Sequence, residues 1–308
     1  RWRLCQPLLQ PHDEGVGLDP VVPGELERLF VVPLVIEDGQ ENVEDPRLVV
    51  ILVGEERGGD DHLFGGGSLD HLYGGTGNDR LYGGTGTDYL YGGGDNDHLY
   101  GGGDNDILLG GDGIDFLGGE AGNDLLDGEL GNDLLDGGLG DDRLFGGDGE
   151  DVLVGGLGRD ELKGGFGNDG MLGGDGGDIL IGNAGNDTLS GGQGIDLLIG
   201  GDGYDTFKFW AVSDSPVSNA GNDTISDFDG RGTLLGDQID LKYIDANQTT
   251  YHTNEAFIWN GNAPGGVGTL WYSGGILKGN TDSDAAPEIQ ISLLGAPALD
   301  LVPSDIIL

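Results

Sequence analysis

Cysteine is almost absent from this chain, and basic residues are few. The 308 residues contain one cysteine, Cys5, so no disulfide can form within the chain. Thirteen Lys and Arg stand against 56 Asp and Glu, which gives a formal net charge of −43 at pH 7. Nucleic acids and anionic membranes are bound through basic patches, so this composition excludes both as primary partners.

Long apolar runs and common catalytic motifs are also missing. No stretch reaches the ~18 apolar residues of a membrane span, and no charged start, apolar core and small-residue cleavage site marks a secretory leader. No Gly-x-Ser-x-Gly nucleophile elbow occurs. The His-Glu-x-x-His zinc motif is absent because no two histidines stand four apart among His12, His62, His71, His98 and His252. We therefore expect no catalytic activity from this chain.

The sequence does contain a nine-residue unit that is repeated sixteen times from Gly65 to Lys208. The copy Gly74–Tyr82 reads GGTGNDRLY, and a weaker copy covers Glu56–Phe64. Position eight is Leu in fourteen copies, and it is Met171 or Phe207 in the other two. A fixed short period predicts a repeat architecture. Position six is Asp in all sixteen copies: Asp70, Asp79, Asp88, Asp97, Asp106, Asp115, Asp124, Asp133, Asp142, Asp151, Asp160, Asp169, Asp178, Asp187, Asp196 and Asp205.

The order of residues within the unit predicts a tight turn followed by a short strand. Glycine tolerates positive φ and close backbone approach, so the first six residues suit a turn. The last three place one large apolar side chain between two variable ones, as in a strand with one inward-facing residue. One such strand cannot bury its apolar side chain alone. We therefore expect an all-β coil with two units per turn, about eight turns, and neighbouring strands about 4.8 Å apart.

The same stacking places the aspartates in two columns of eight. At an effective dielectric of about 20, each contact between neighbouring carboxylates costs on the order of 3 kcal/mol. The seven gaps in each column together exceed the ~5–15 kcal/mol net stability of a typical domain, so the stack needs cations. Carboxylate and carbonyl oxygens in a flexible loop suit calcium, whereas magnesium needs a stricter octahedron. The unit contains no Cys, and His occupies position seven in only two of the sixteen copies, His71 and His98, which argues against zinc and copper. We expect about 14 calcium ions, one for each gap.

The unit resembles the Gly-Gly-x-Gly-x-Asp-x-apolar-x calcium repeat of RTX (repeats-in-toxin) proteins. That resemblance implies a right-handed parallel β-roll in which aspartates eighteen apart, such as Asp70 and Asp88, share an ion. It also implies that backbone carbonyls of loop glycines complete each site, for example those of Gly75, Gly77, Gly84 and Gly86. Departures from the glycine pattern occur at the fourth position in Ser68, Asp95 and Asp104, and at the second position in Glu129 and Asn183.

Changes in composition predict three segments. Residues 57–208 form the calcium-binding roll. Residues 1–56 are poor in glycine and contain two apolar, β-rich runs, Leu29–Ile36 and Leu48–Val53. They are interpreted as a cap on the open end of the roll, as the remnant of an upstream domain, or as a segment without native structure. Residues 209–308 alternate apolar and polar residues between Gly, Asn and Asp turns, which predicts an antiparallel β region that caps the roll.

Tyrosines recur at position nine near the start of the roll. Stacking at eighteen residues pairs Tyr73 with Tyr91 and Tyr82 with Tyr100. Such pairs are expected to form surface ladders that stabilise the coil. A ligand-binding aromatic face is the alternative.

The C-terminal segment resembles the region that follows the roll in serralysin-type secreted metalloproteases. That resemblance implies a cap and a type I secretion signal, and the end of the chain, Asp305–Leu308, is similar to the family's export tail. The zinc motif of that family is missing here, so its proteolytic activity does not transfer. Further candidate calcium ligands, with turn and cap roles as the alternative, are Asp61, Asp223, Asp227, Asp237 and Asp240.

Three functional interpretations remain open. In the first, the chain is a calcium-binding extracellular module. It stays unfolded in a calcium-poor cytosol, leaves through the type I secretion apparatus by its C-terminus, and folds on binding calcium outside. In the second, it is the C-terminal part of a secreted hydrolase, most simply a serralysin-like metalloprotease, whose catalytic domain lies upstream of Arg1. In the third, it is a surface or adhesive protein in which the roll is the working surface.

Overall fold

Two parallel sheets, each of which gains one strand per turn of the chain, form most of this protein. The computed structural model is all-β and describes residues 50–53, 59–211, 213–215, 222–229, 236–244, 257–259, 264, 268–281, 287–294, 301 and 305–308. These residues belong to one unit, Asn42–Leu308. The apolar run Leu29–Ile36 lies outside the described residues. Within the described part of the chain, no helix has the length and apolar character of a membrane span.

The described strands follow one another at short, regular intervals as far as Lys208, and further strands occur at wider spacing beyond it. In chain order they are β1 (Val50–Val53), β2 (His62–Gly67), β3 (Asp70–Thr76), β4 (Arg80–Thr85), β5 (Tyr89–Gly94), β6 (His98–Gly103), β7 (Ile107–Asp112), β8 (Phe116–Ala121), β9 (Leu125–Leu130), β10 (Leu134–Leu139), β11 (Arg143–Asp148), β12 (Val152–Gly158), β13 (Glu161–Phe166), β14 (Gly170–Gly176), β15 (Ile179–Ala184), β16 (Thr188–Gly194), β17 (Leu197–Asp202), β18 (Thr206–Lys208), β19 (Thr224–Ile225), β20 (Gln238–Asp240), β21 (Ile258–Trp259), β22 (Thr269–Ser273), β23 (Ile276–Asn280), β24 (Ile289–Leu293) and β25 (Ile306–Ile307).

Odd-numbered and even-numbered strands of the roll lie in separate sheets. One sheet has 14 strands in the order β1-β3-β5-β7-β9-β11-β13-β15-β17-β19-β24-β23-β22-β21, and the other has 11 in the order β2-β4-β6-β8-β10-β12-β14-β16-β18-β20-β25. Within the roll the pairing is parallel, and residues eighteen apart face each other, as His71 and Tyr89 do in one sheet and Leu81 and Leu99 in the other. This register confirms two units per turn and about eight turns of a β-solenoid.

The leucines at position eight fill the space between the two sheets. All fourteen are completely buried, as is Phe207, and Met171 is 3% exposed. Their neighbours point outward, so that Leu134 is 41% exposed although Leu135 is fully buried. Burial of a leucine side chain contributes about 1.5–3 kcal/mol. Because each leucine is buried by the facing sheet and by the leucines of neighbouring turns, the repeats stabilise one another.

The first turn departs from the regular pattern. Leu63 at position eight of the weaker copy is only partly buried. Val50–Val53 pairs in parallel with Asp70–Tyr73 at an offset of twenty residues instead of eighteen. Four residues of the predicted run Leu48–Val53 therefore form a strand at one end of the 14-stranded sheet. The assignment of residues 1–56 to a separate segment stays a prediction.

Beyond Lys208, both sheets continue in parallel before an antiparallel meander appears. β19 and then β24 extend one sheet in parallel, while β20 and then β25 extend the other. Antiparallel pairing is confirmed for β22, β23 and β24. Alternating apolar and polar residues do not distinguish the two directions, but the last strands of the roll present open edges whose backbone groups need partners. The C-terminal residues Ile306–Ile307 supply one such partner strand.

Candidate metal centres

Each aspartate column is held together by hydrogen bonds between successive turns. The N–H of Asp97 donates to Oδ1 of Asp115 at 2.7 Å, and the N–H of Asp115 donates to Oδ1 of Asp133 at 2.8 Å. The same bond joins every pair of position-six aspartates eighteen residues apart, at 2.7–2.9 Å. Asp61 joins the start of one column, because its N–H donates to Oδ1 of Asp79 at 2.7 Å. All sixteen repeat aspartates are at most 2% exposed.

In almost every repeat, the second carboxylate oxygen has no donor within the described part of the chain. A buried charge with no partner costs several kcal/mol. Ion pairs in the described residues involve only Arg143, Arg159 and Lys163, with Glu161 and Asp141 as partners. No basic side chain of the described residues therefore neutralises the columns. The buried Oδ2 atoms that accept no hydrogen bond among the described residues include those of Asp79, Asp88, Asp97, Asp106, Asp115, Asp124, Asp133, Asp142, Asp151, Asp160, Asp169, Asp178, Asp187, Asp196 and Asp205.

Burial raises the pKa of these carboxyl groups. Removal of the carboxylate from water is the largest cause, and the hydrogen bond from the preceding turn opposes it in part. The pKa of Asp133 and of Asp142 rises to about 7, with neighbouring carboxylates adding to the effect, and that of Asp124 and of Asp151 rises to about 6. Ion-free columns therefore hold protons at pH values where isolated aspartates are ionised. A divalent cation would take the place of those protons.

The glycine at position one makes room for the carboxylate. Position one is Gly in all sixteen copies. A Cβ on Gly137 would lie 2.6 Å from Oδ2 of Asp142 and 2.7 Å from the carbonyl oxygen of Gly155. Any other residue would place a carbon atom among these oxygens. The sequence predicted a turn from these glycines but missed this second reason for them.

Positions two and four adopt left-handed backbone conformations. Gly84 has φ of 109° and Gly86 has φ of 116°. A Cβ on Gly84 would meet the carbonyl oxygen of Gly66, and one on Gly86 would meet that of Ser68. The carbonyls of these two positions therefore point along the stack towards the next turn. The non-glycine residues with positive φ in the described chain all occupy these positions, and they are Ser68, Asp95, Asp104, Glu120, Glu129 and Asn183. Glu120 is a departure that the sequence analysis did not identify.

A position-four carbonyl oxygen and Oδ1 of an aspartate lie close together between turns, whereas Oδ2 of the same aspartate lies beside position one. A Cβ on Gly122 would meet the carbonyl oxygen of Asp104 and would lie 2.8 Å from Oδ1 of Asp124. No group of three or more His, Cys, Asp or Glu side chains in the described residues is arranged to hold a metal ion. A cation here would therefore need backbone carbonyls beside one or two carboxylates. This oxygen-only donor set fits calcium, the ion that the repeat predicts.

Two of the additional candidates continue the columns beyond the repeats. Oδ1 of Asp223 accepts the N–H of Asp196 at 2.9 Å, and Oδ1 of Asp237 accepts the N–H of Asp205 at 3.1 Å. Both side chains are buried. Each non-repeat aspartate thus takes the place that the next repeat aspartate would fill.

The other two C-terminal candidates bind backbone donors. The carboxylate of Asp227 accepts the N–H groups of Gly200 and Gly201 at 3.0 and 2.8 Å. Oδ1 of Asp240 accepts the N–H of Lys242 at 2.9 Å. These contacts favour the turn and cap roles that the sequence left as the alternative.

Position five carries a second ladder that the sequence analysis missed. Oδ1 of Asn78 accepts the N–H of Asn96 at 3.1 Å, and Oδ1 of Asn123 accepts the N–H of Asp141 at 3.0 Å. These bonds run in the opposite direction along the stack from those of the aspartate columns. The signal in the sequence is the recurrence of Asn at position five in seven of the sixteen copies.

The predicted tyrosine ladders are confirmed. The ring centroids of Tyr73 and Tyr91 lie 4.6 Å apart, and those of Tyr82 and Tyr100 lie 5.0 Å apart, with the rings nearly parallel. Because each ring covers the face of its neighbour, little open ring face is left for a ligand to stack upon. The geometry favours a stabilising role over the alternative of an aromatic binding face.

Comparison with known proteins finds the same repeat across half of the chain. Residues 57–90, 82–117, 109–144, 136–171, 145–180 and 172–207 match the RTX calcium-binding nonapeptide repeat (4 copies). No curated protein matches the chain. Among solved structures, the solution structure of the AlgE6R3 subunit from the Azotobacter vinelandii mannuronan C5-epimerase is 32% identical to it. The match covers 48% of this chain and 77% of that chain, with a TM-score of 0.35.

Proposed function

The chain belongs, through residues 57–207, to the family of RTX calcium-binding nonapeptide repeat proteins, and from this premise we propose that it folds by binding calcium between the turns of the roll. Its repeat region is a structural calcium-binding module. The ligands are the sixteen position-six aspartates together with loop carbonyls such as those of Gly75, Gly77, Gly84 and Gly86. The number of ions is about 14, one for each gap within the two columns.

One observation carries this proposal, namely the row of buried Oδ2 atoms that no donor of the described residues meets. Oδ1 of every repeat aspartate from Asp79 to Asp205 accepts the N–H of the preceding turn. Oδ2 then lies near the position-one glycine of its own copy and the position-one carbonyl of the next turn, as Oδ2 of Asp142 does at Gly137 and Gly155. Calcium supplies positive charge there and offsets the cost of burying carboxylates one strand spacing apart. Because the site exists only when two turns are stacked, binding free energy becomes folding free energy.

We further propose that this coupling serves secretion. In a cytosol with little free calcium, the aspartates repel one another and the chain stays sufficiently unfolded to pass through a type I secretion apparatus, with the signal in residues 209–308. Outside the cell, calcium at about 10⁻⁴–10⁻³ M suits an extracellular module of this kind. Folding there disfavours backward movement. An upstream catalytic domain is the partner that the serralysin-like C-terminal segment suggests.

Circular dichroism of the full chain during a calcium titration tests the proposal. We expect a coil that becomes β-structure as calcium is added at neutral pH and that returns to coil when a chelator is added. Magnesium at the same concentrations is the control, and we expect it to be far less effective because it retains its waters. Formation of the complete sheet in metal-free buffer at pH 8 and low ionic strength would contradict the proposal.

A further inference from the structure

The two aspartate columns end differently at the C-terminal side of the roll. Counting eighteen residues from Asp196 and from Asp205 gives Asp214 and Asp223 as the next members. The structure instead places Asp223 after Asp196 and Asp237 after Asp205. Asp223 thus lies in the column opposite to the one that the period assigns to it. The two terminal carboxylates can be compared directly because each occupies the same place in its column.

Asp237 is the last aspartate of its column, and its carboxylate accepts hydrogen bonds from two backbone N–H groups. Its Oδ1 accepts the N–H of Asp205 at 3.1 Å, and its Oδ2 accepts the N–H of Asp229 at 2.7 Å. Both oxygens of this carboxylate are therefore engaged. Hydrogen bonds from N–H groups to a carboxylate are among the stronger ones in proteins. At Asp237 they stabilise both carboxylate oxygens and oppose the rise in its pKa that burial and the carboxylates of Asp227 and Asp229 cause.

Asp223 ends the other column, and one of its carboxylate oxygens has no donor among the residues that the structure describes. The side chain is fully buried, and Oδ2 accepts no hydrogen bond from the described residues. Its main chain is held firmly, because its N–H donates to Oγ of Ser215 at 3.0 Å and its carbonyl oxygen accepts the N–H of Ser292 at 2.9 Å. Oγ of Ser215 in turn donates to the carbonyl oxygen of Gln290. The unpartnered oxygen is thus fixed in position by two separate segments of the C-terminal region.

The surroundings of Asp223 carry negative charge. Asp196, whose Oδ2 is also buried without a donor in the described residues, lies one turn before it, and Asp214 is 7% exposed. Burial is the largest cause that raises the pKa of Asp223 to about 8, and the carboxylates of Asp196 and Asp214 add to it. The Asp196 N–H and the nearby Ser215 side chain oppose the rise in part, although the Ser215 hydroxyl donates its hydrogen to Gln290. The Oδ2 of Asp214 accepts the N–H groups of Trp210 and Ala211. The buried carboxylates of Asp196 and Asp223 would therefore both be stabilised by one positive charge placed between them.

We propose that Asp223 and Asp196 hold one further calcium ion between the last turn of the repeats and the C-terminal region, and that no equivalent ion lies at Asp237. This inference rests on the proposed calcium binding by the repeats. Asp223 directly precedes β19, which pairs with β17 on one side and with β24 on the other. The ion would therefore fasten a C-terminal segment from outside the repeats to the end of the roll.

Calcium stoichiometry of the full chain tests this site. Asp223→Asn removes the charge at one column end, and Asp237→Asn is the matched control at the other. Equilibrium dialysis followed by metal analysis should find one ion fewer in Asp223→Asn than in the unmodified chain and no loss in Asp237→Asn. Equal stoichiometry in Asp223→Asn, or an equal loss in both variants, would overturn the inference. If the unmodified chain bound no calcium, the proposed function itself would fail.

Hydrogen exchange at saturating calcium distinguishes a local site from a general loss of folding. In Asp223→Asn, we expect faster amide exchange at Thr224–Ile225 and Ile289–Leu293, with unchanged protection in the middle of the roll at Leu134–Leu139. Protection that is unchanged in the two C-terminal strands would overturn the inference. So would its loss along the whole roll, because a site that only fastens the C-terminal region leaves the central turns folded.

Discussion

The backbone N–H of Asp115 donates a 2.8 Å hydrogen bond to Oδ1 of Asp133, one turn further along the roll. The other oxygen of Asp133 has no donor among the described residues. One carboxylate therefore has two separate tasks. Oδ1 fixes the register between turns through a bond to a charged acceptor, worth about 1.5–3 kcal/mol. Oδ2 brings a negative charge into the space between turns, where a cation can stabilise it.

Replacement of Asp133 by Asn should have opposite effects with and without calcium. Asn retains an oxygen that can accept the N–H of Asp115 but removes the buried charge. The metal-free fold should gain stability, and the calcium concentration at the folding midpoint should rise because the two gaps beside Asp133 lose a charged ligand. Circular dichroism titration measures both. Asp148→Asn, an exposed change of the same charge in the next turn, is the control and should change stability by no more than about 0.5 kcal/mol.

A methyl group at position one should disrupt the roll more than one at position three. Gly137→Ala would place its Cβ 2.6 Å from Oδ2 of Asp142 and 2.7 Å from a backbone oxygen, so we expect a loss of at least the ~1–3 kcal/mol of ordinary overpacking. Gly94→Ala is the control, since its Cβ would have no neighbour closer than 3.9 Å. Urea unfolding at saturating calcium measures both variants. Equal midpoints would show that the space beside the carboxylate is not restricted.

Two adjacent leucines should respond differently to truncation. Leu135 is fully buried between the sheets and Leu134 is 41% exposed. Leu135→Ala should cost about 2–5 kcal/mol because it leaves a cavity in the core, whereas Leu134→Ala should cost less than about 0.5 kcal/mol. Chemical unfolding in calcium determines both values. A larger loss in Leu134→Ala would contradict the assignment of position eight to the core.

Acid should favour the metal-free fold. The pKa of Asp133 is raised to about 7 and that of Asp124 to about 6 in the folded chain, and an unfolded aspartate has a pKa of about 3.9. A group that binds its proton more tightly when folded stabilises the fold fully below its unfolded pKa, and this contribution is lost as pH rises through 6 and 7.

Circular dichroism in chelator measures this pH dependence. We expect β-structure to increase as the pH is lowered from 8 to 4, with most of the change between pH 7 and 5. Saturating calcium should remove the dependence above pH 6, since the ions replace the protons. If the chain in chelator had more β-structure at pH 8 than at pH 5, the predicted pH dependence would be wrong.

The fold of the repeat region was predictable because its chemistry recurs at a constant interval. Leu81 and Leu99 meet in the core because both stand at position eight and are eighteen residues apart. The same interval stacks Tyr82 on Tyr100. A period of this kind reports the register directly, without any knowledge of long-range contacts. The prediction that residues 209–308 form antiparallel strands was right for β22, β23 and β24 but missed the parallel pairing by which β19, β20 and β25 extend the sheets of the roll. Alternation of apolar and polar residues does not show which open sheet edge a strand will join.

The candidate site was predictable in its residues but not in its atoms. The sequence identifies Asp133 as a member of a column, yet it does not show that Oδ1 is engaged by the preceding turn. Nor does it show why position one is always Gly, since the clash of a Cβ at Gly137 involves Asp142 in the same copy and Gly155 in a later turn. These contacts depend on how the backbone of one turn is oriented against the next, which the sequence does not show.

By itself, the sequence determined the two-unit turn, the buried leucines and the aspartate columns, since all three follow from like residues placed eighteen apart. Only the tertiary structure decided how the columns end. Asp223 follows Asp196 after 27 residues, and Asp237 follows Asp205 after 32. Once the chain leaves its period beyond Lys208, the length of each excursion is set by which open strand edge the chain reaches, and no local pattern encodes that distance.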